Sequence, residues 1–321
     1  MVRFEYNASA VATTFLATIA RLMGAGPDAS EGDLARADRL VSAFQVYVGY
    51  SPTGHTSEKV VFILFGGGNN GKTTMLSLFL KLLEDYAAQL LIEKLMVRQE
   101  NNNSNADLAD LHGARFVMTS ETEEGQRLAE GKLKRITQGM GRIKAIRKYE
   151  NPFSFLETHK LWIDANHKPV IRGTDAAIWN RLLTIPFTVT IPPAEIDRDL
   201  PAKLMAEAEG VLAWAVAGAV RWYRDGLPRP DELKQAVSEY RAEMDQVGRF
   251  IEERCVTADT LSILTVDLYA AYKQWAESSG EHPVAKKAFT SKLLEHPELS
   301  EKHTKNGNKF SGVSLRFEGD R

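Results

Sequence analysis

The chain has 321 residues, 44% of them apolar and 26% charged; at about twice a typical domain of ~150 residues it leaves room for two or three domains, and a mainly disordered chain is excluded. Its 40 Lys and Arg against 42 Asp and Glu give a formal charge of −2. No global attraction to nucleic acid is therefore expected, and any such contact has to come from a local patch. The single cysteine, Cys255, excludes an internal disulfide and a zinc site built on several thiolates; it reads as a buried filler in a reducing cytoplasm. The uncharged apolar stretch 211–220 falls well short of the ~20 residues that span a membrane, and the Ala/Thr-rich stretch 8–20, preceded by Glu5, reads as an amphipathic helix and not as a secretory signal.

In chain order, two helical patterns come first, Val11-Phe15-Ile19-Leu22 and Leu34-Leu40-Phe44-Tyr47, separated by Gly24-Ala25-Gly26-Pro27 with a cap expected at Ser30. They predict a helical N-terminal domain over 1–55, with oligomerisation as its expected role. From Val60 the texture changes to short apolar runs, 60–65, 116–118, 161–163 and 182–185, alternating with helical segments. Strands buried on both faces look like this, so residues 56–230 are expected to form an α/β domain with a parallel sheet. Helical patterns over 201–222 and from Asp231 to about Arg254 flank the punctuation Leu227-Pro228-Arg229-Pro230. Helices over 265–277 and 284–295 and an Asn306-Gly307 turn between strand-like flanks then predict a winged-helix-like domain over 241–321.

The first run leads into Gly66-Gly67-Gly68-Asn69-Asn70-Gly71-Lys72-Thr73, followed by Thr74 and an apolar helix. This fits G-x-x-x-x-G-K-[ST] in the strand–loop–helix setting the motif requires. The glycines let backbone N–H groups close around phosphate oxygens, the helix N-terminus adds a favourable dipole, Lys72 reaches the β and γ phosphates, and Thr73 ligates Mg²⁺. ATP and Mg²⁺ are the expected cofactors.

Hydrolysis also needs a polar group to orient the attacking water. Glu121 ends the apolar run at 116–118 and Asn166 follows the run at 161–163. Each alone reads as a solvated strand end or a turn cap, and only the P-loop beside them raises the functional reading. Arg181, just before the run at 182–185, is placed to enter a neighbouring subunit's site in trans, with Arg172 in reserve. Residues 131–149 hold Lys132, Lys134, Arg135, Arg142, Lys144, Arg147 and Lys148 and no acid. The segments 142–146 and 153–155 predict a hairpin that carries Lys144, Arg147 and Lys148 towards nucleic-acid phosphates. A weaker cationic excess lies over 282–316.

The stretches FGGGNNGKTT, LHGARFVMTSETEEG and KLWIDANHKPVIRGTDAAIWNRLLTIPF, with the basic hairpin between the last two, together resemble the superfamily 3 helicase domain of phage and plasmid primase-helicases, including the poxvirus and satellite-phage type. The resemblance covers about residues 40–300. It implies an AAA+ type core, a hexameric ring with ATP sites between subunits, and a pore hairpin gripping single-stranded or forked DNA in replication, with a separate primase or polymerase as partner. It assigns phosphate and Mg²⁺ to Lys72 and Thr73, water activation to Glu121, the sensor role to Asn166, and the neighbour's site to Arg181. Two places depart from the family pattern: Gly139-Met140-Gly141 stands where many members have Gly-Gly-Asp, and Ser120 stands where many P-loop motors carry the Mg²⁺-orienting Asp, so that Mg²⁺ is expected to be held mainly through Thr73 and water. The alternative to a translocating helicase is an ATP-assembled platform on DNA with little or no unwinding.

Overall fold

The computed structural model describes residues 4, 6–97, 105–119, 124–147, 149–173, 175–305 and 307–316. Two helices come first, α1 (Thr13–Leu22) and α2 (Glu31–Tyr50). Ser30 starts α2 as expected: its hydroxyl accepts the Asp33 N–H at 3.2 Å, and the Asp33 carboxylate accepts the Ser30 N–H at 3.1 Å, which closes a capping box. α1 has no side-chain cap of its own. The two carboxylate oxygens of Glu207, far along the chain, accept the Thr14 and Phe15 N–H groups at 2.9 Å each and do the same work from outside the helix.

The next elements are β1 (Val61–Phe65), α3 (Lys72–Leu83), β2 (Ala87–Leu90), β3 (Phe116–Thr119), α4 (Glu130–Ile136), β4 (Arg142–Ala145), β5 (Phe153–Leu156), β6 (Lys160–Ala165), α5 (Ala176–Trp179), β7 (Leu182–Pro186), α6 (Leu200–Ala206), α7 (Ala208–Asp225) and α8 (Asp231–Met244). The apolar runs are β1, β3, β6 and β7, and they lie in one parallel five-stranded sheet of order β2-β3-β6-β1-β7. Edge strand β2, Ala87-Ala88-Gln89-Leu90, was not expected, because it has no continuous apolar run and is buried only at Leu90. One face of the sheet carries Phe62, Trp162 and Phe116, with ring centroids 4.2 and 5.4 Å apart along the row. α1, α2, α3 and α7 cover that face, so the N-terminal helices and the sheet share one hydrophobic core.

The chain divides within α8 into two units, Met1–Ser238 and Glu239–Arg321. The Pro-rich turn 227–230 belongs to the first, where Tyr47 donates its hydroxyl to Pro228 O at 2.5 Å. The helical pattern read as continuous from Asp231 to Arg254 breaks at Asp245, which caps α9 (Gln246–Arg254) by accepting the Gly248 N–H. The second unit goes on through β8 (Cys255–Leu264), α10 (Thr265–Ser278), α11 (Lys286–Leu293), β9 (Ser300–Thr304) and β10 (Gly307–Leu315), with antiparallel strand order β8-β10-β9. Phe250, Tyr272, Phe289 and Phe310 anchor its core. Strand β8 is mostly exposed, which is why no apolar alternation announced it. Cys255 lies in that core, and burial pushes its thiol up to about 12, as suits an inert filler.

The α2–α7 crossing depends on two glycines. A Cβ at Gly218 would lie 2.1 Å from Gln45 O, and one at Gly49 would lie 2.2 Å from Ala219 N. In a free helix Gly→Ala would gain up to ~1 kcal/mol, but here backbone meets backbone and cannot yield. Gly218→Ala is therefore expected to lower stability by about 1–3 kcal/mol, as overpacking does, read as a drop of several degrees in thermal midpoint. An unchanged or higher midpoint would contradict this close packing.

Candidate functional site

The loop 66–71 leaves β1 at the C-terminal edge of the sheet and re-enters as α3. Gly71 has φ +75°, and a Cβ there would lie 2.6 Å from Leu22 Cδ1; α1 thus packs against the loop, and only glycine fits. A Cβ at Gly66 would lie 2.0 Å from Phe187 O. Gly67, Gly68 and Asn69 form the exposed crest, while Asn70 is buried and donates Nδ2 to Phe187 O at 3.1 Å. Ile191 N–H donates to Asn69 O at 2.7 Å, so the segment after β7 holds the loop from a second side. Thr74 follows on the first turn of α3, half-buried.

Lys72 is only 2% exposed. Its ammonium donates to Gly66 O at 2.8 Å, Gly67 O at 3.3 Å, Asn70 Oδ1 at 2.9 Å and Asn166 Oδ1 at 2.9 Å, and it faces Asp164 Oδ1 at 3.9 Å. The Thr73 hydroxyl donates to Asp164 Oδ2 at 2.5 Å. Parallel pairing sets this up: β6 lies beside β1 with Leu64 opposite Asp164, so the end of β6 delivers Asp164 and Asn166 to the start of α3. A carboxylate and a hydroxyl in contact are hard oxygen donors of the kind Mg²⁺ takes alongside substrate phosphates, and an ammonium in a cradle of carbonyls is poised for phosphate oxygens. The residues present thus fit Mg²⁺ and a nucleoside triphosphate.

Asp164 is the residue that sequence reasoning missed, and it adds a carboxylate in contact with Thr73. The signal was present: an acid inside an otherwise apolar strand, Leu161-Trp162-Ile163-Asp164-Ala165, is costly to bury unless it has a task. Ser120 and Glu121 lie outside the described residues; β3, which leads to them, ends at Thr119 on the same sheet edge as the loop.

Arg181 is not brought to Lys72 within the chain. Its carbonyl accepts the Val61 N–H at the N-terminal edge of the sheet, so the length of β1, ~3.3 Å per residue over five residues, separates it from the loop. Arg181 is half-buried with its guanidinium on Ala177 O, whereas Arg172 is exposed.

β4 and β5 form the expected antiparallel hairpin. Ile143, Ala145 and Phe155 are buried, and the His112 ring lies 5.7 and 5.3 Å from Phe153 and Phe155. Arg142, Lys144, Ser154 and Leu156 are exposed on the opposite side. Arg147 stacks its guanidinium 4.8 Å over the Phe153 ring and faces Glu150 at 3.7 Å; Lys148 lies outside the described residues. Part of the basic run is structural, since Lys134 pairs with Asp175.

Residues 64–181 match a family of unknown function, DUF5906, and residues 242–314 match a family described as poxvirus D5 protein-like. The chain is 29% identical over 264 residues to "Putative helicase 022R" of Frog virus 3 (isolate Goorha), covering 76% of this chain and 26% of that protein. A protein of Acanthamoeba polyphaga mimivirus, likewise named a putative helicase, is 27% identical over 256 residues, covering 73% and 27%. The chain thus spans about a quarter of the length of these relatives. The structure described as the apo NrS-1 C-terminal region (305-718) superposes with a TM-score of 0.55 at 13% identity, over 98% of this chain and 79% of that one. Among the described residues no helix is long and apolar enough to cross a membrane.

The hairpin is rooted in a buried charged cluster at the N-terminal edge of the sheet. Glu157, 4% exposed, accepts the Gly139 N–H at 3.1 Å, and Thr56 accepts the Met140 N–H at 2.7 Å. Burial pushes the Glu157 carboxyl up to about 7 against the opposing pull of the Gly139 and Gln138 N–H groups, Lys160 and Arg181. Burial likewise pushes the Lys160 ammonium down, with Arg115 acting in the same direction and Glu157 against it. Between about pH 4.5 and 7 the folded chain then holds a proton on Glu157 that the unfolded chain has released, so this group makes stability fall as pH rises through that window. Glu157→Gln removes the dependence: relative to wild type, the variant's thermal midpoint should be higher at pH 6.5 than at pH 5. A difference independent of pH would contradict the shift.

Proposed function

We propose, on the premise that the chain carries the superfamily 3 domain of the D5-type primase-helicases, that it hydrolyses ATP to move along single-stranded DNA during replication of a viral or other mobile genome. The observation that carries this reading is the contact of Lys72, Thr73, Asp164 and Asn166 at one edge of a parallel sheet, with a basic hairpin rooted at the other. The flanking elements agree. A P-loop strand between β6 and β7 suits an AAA+ type core, and the helix, strand, two helices and hairpin of residues 246–315 suit a winged-helix-like module.

Bound ATP with Mg²⁺ supplies the phosphoryl group that is transferred to water and the metal charge that draws electron density from it. The backbone N–H groups of residues 66–71 and the Lys72 ammonium hold phosphate oxygens, Thr73 and Asp164 present oxygens to Mg²⁺, and Asn166, already on the Lys72 ammonium, orients water or the γ-phosphate. Glu121 is the proposed acceptor of the water proton. Since Arg181 stands on the far edge from its own chain's loop, a role in hydrolysis has to be exercised on a neighbouring subunit, which favours a ring; Arg172 is the exposed alternative. Lys144, Arg147 and Lys148 contact the DNA backbone without reading sequence.

ATPase rates with and without single-stranded DNA, together with mass in solution, test this. DNA should raise the wild-type rate, and Lys72→Ala should cost at least about a hundredfold, as removal of a principal phosphate ligand does. Replacing Lys144 and Arg147 together by Ala should remove the DNA response and spare basal turnover. A ring-sized wild-type oligomer with no DNA stimulation would sink the translocation reading in favour of a loading platform.

A further inference from the structure

The second unit holds a cavity of about 480 Å³ that neither the loop nor the basic hairpin accounts for. Its walls come from three places: Leu264 and Val266, where β8 passes into α10; Lys286 and Lys287, which open α11; and Glu301 and Asn308, on the hairpin of β9 and β10. A volume of this size, within the ~300–1,000 Å³ of ligand clefts, admits an inserted side chain with its flanking backbone. Lys286 and Lys287 are exposed, and among the described residues neither forms a hydrogen bond or ion pair. Lys292, further along α11, does meet Asp245, at 3.3 Å. Lys305, on the turn of the β9–β10 hairpin, is exposed and likewise unpaired among the described residues. Both α10 and α11 begin at the cavity, and neither has a side-chain cap, so the positive ends of two helices add to the same opening. Val266 stands 56% exposed in this cationic setting.

The opening therefore calls for an anionic partner, and its other walls say which. A nucleic-acid backbone presents phosphates and nothing for Leu264 and Val266, and its charge would meet the Glu301 carboxylate. That carboxylate accepts the Thr265 hydroxyl at 3.2 Å and the Asn308 amide at 3.1 Å and has lone pairs for a further donor, which a peptide N–H supplies and a phosphate does not. An apolar side chain flanked by carboxylates satisfies the apolar wall, the lysines and Glu301 together. We infer that this cavity docks an acidic peptide segment of a partner protein, with one bulky apolar side chain against Leu264 and Val266 and its neighbouring carboxylates on Lys286 and Lys287. The inference does not rest on the chemistry proposed for the loop or for the basic hairpin.

The test is a fluorescence-anisotropy titration of the full chain with a labelled peptide that carries one leucine between two runs of aspartate. Wild type should bind it saturably. The same peptide with alanine in place of its leucine should bind at least about fivefold more weakly, as loss of a partly buried apolar side chain does. Replacing Lys286 and Lys287 together by Ala should cost the leucine peptide about fivefold, as loss of two exposed ion pairs does, and should flatten its salt dependence. Val266→Ser should weaken the leucine peptide and hardly change the alanine peptide. All three positions are exposed, where substitutions leave folding almost untouched. No saturable binding of the leucine peptide, equal binding of the alanine peptide, or indifference to the double lysine variant would each overturn the inference. A DNA duplex that binds through the same two lysines while the peptide does not would overturn it too and assign them to nucleic acid.

Discussion

The ammonium of Lys72 and the carboxylate of Asp164, each with almost no exposure, face one another at 3.9 Å where β6 meets the start of α3. Two buried charges are tolerated only where each finds compensation, and here it comes from the loop itself: Gly66 O, Gly67 O and Asn70 take up Lys72, and Thr73 takes up Asp164. The loop therefore holds its shape around a buried cation. Preorganisation of this kind is what electrostatic catalysis needs, since charges already in position cost no rearrangement when the reaction begins. The glycines belong to the same constraint. Side chains at Gly66 and Gly71 would collide with Phe187 O and Leu22, so the loop can be this tight only because α1 and the segment after β7 press on it.

β6 reaches both candidate sites. Its C-terminal end supplies Asp164 and Asn166, and the three residues before its start include Glu157, which holds the hairpin through Gly139. A strand of six residues at ~3.3 Å each is about 20 Å of stiff backbone, flanked on both sides by β3 and β1. The strand is thus one continuous physical link between the phosphate-loop side of the sheet and the hairpin root. The Arg181 guanidinium also acts electrostatically on the Glu157 carboxyl that holds the hairpin root.

What was legible in the sequence follows from how local each signal is. The P-loop, its strand and its helix are contiguous, and the four apolar runs became four adjacent strands of the sheet because burial on both faces leaves an unbroken apolar signature. The hairpin at 142–156 and the Ser30 cap were equally local. Strands β2 and β8 were not legible: one is an edge strand with one buried residue, and the other is exposed along most of its length. Asp164 was visible as an acid in an apolar run, but its partner Thr73 lies far away along the chain, and only strand pairing brings them together. Glu157 and Glu207 have the same character, since each carboxylate takes its meaning from backbone N–H groups that no nearby residue announces. The helical pattern of 231–254 ran through Asp245 because a break made by a cap leaves the apolar period almost intact.

Equilibrium titration of a fluorescent ATP analogue with and without Mg²⁺ tests most directly the proposal that Asp164 and Thr73 hold the metal that accompanies a nucleotide on Lys72. Wild type should bind the analogue more tightly with Mg²⁺ than without it, and Asp164→Asn, which keeps the side chain's shape and removes its charge, should abolish most of that difference while retaining metal-free binding. An Asp164→Asn variant with an undiminished Mg²⁺ effect would contradict the assignment and return the metal to ligands outside β6.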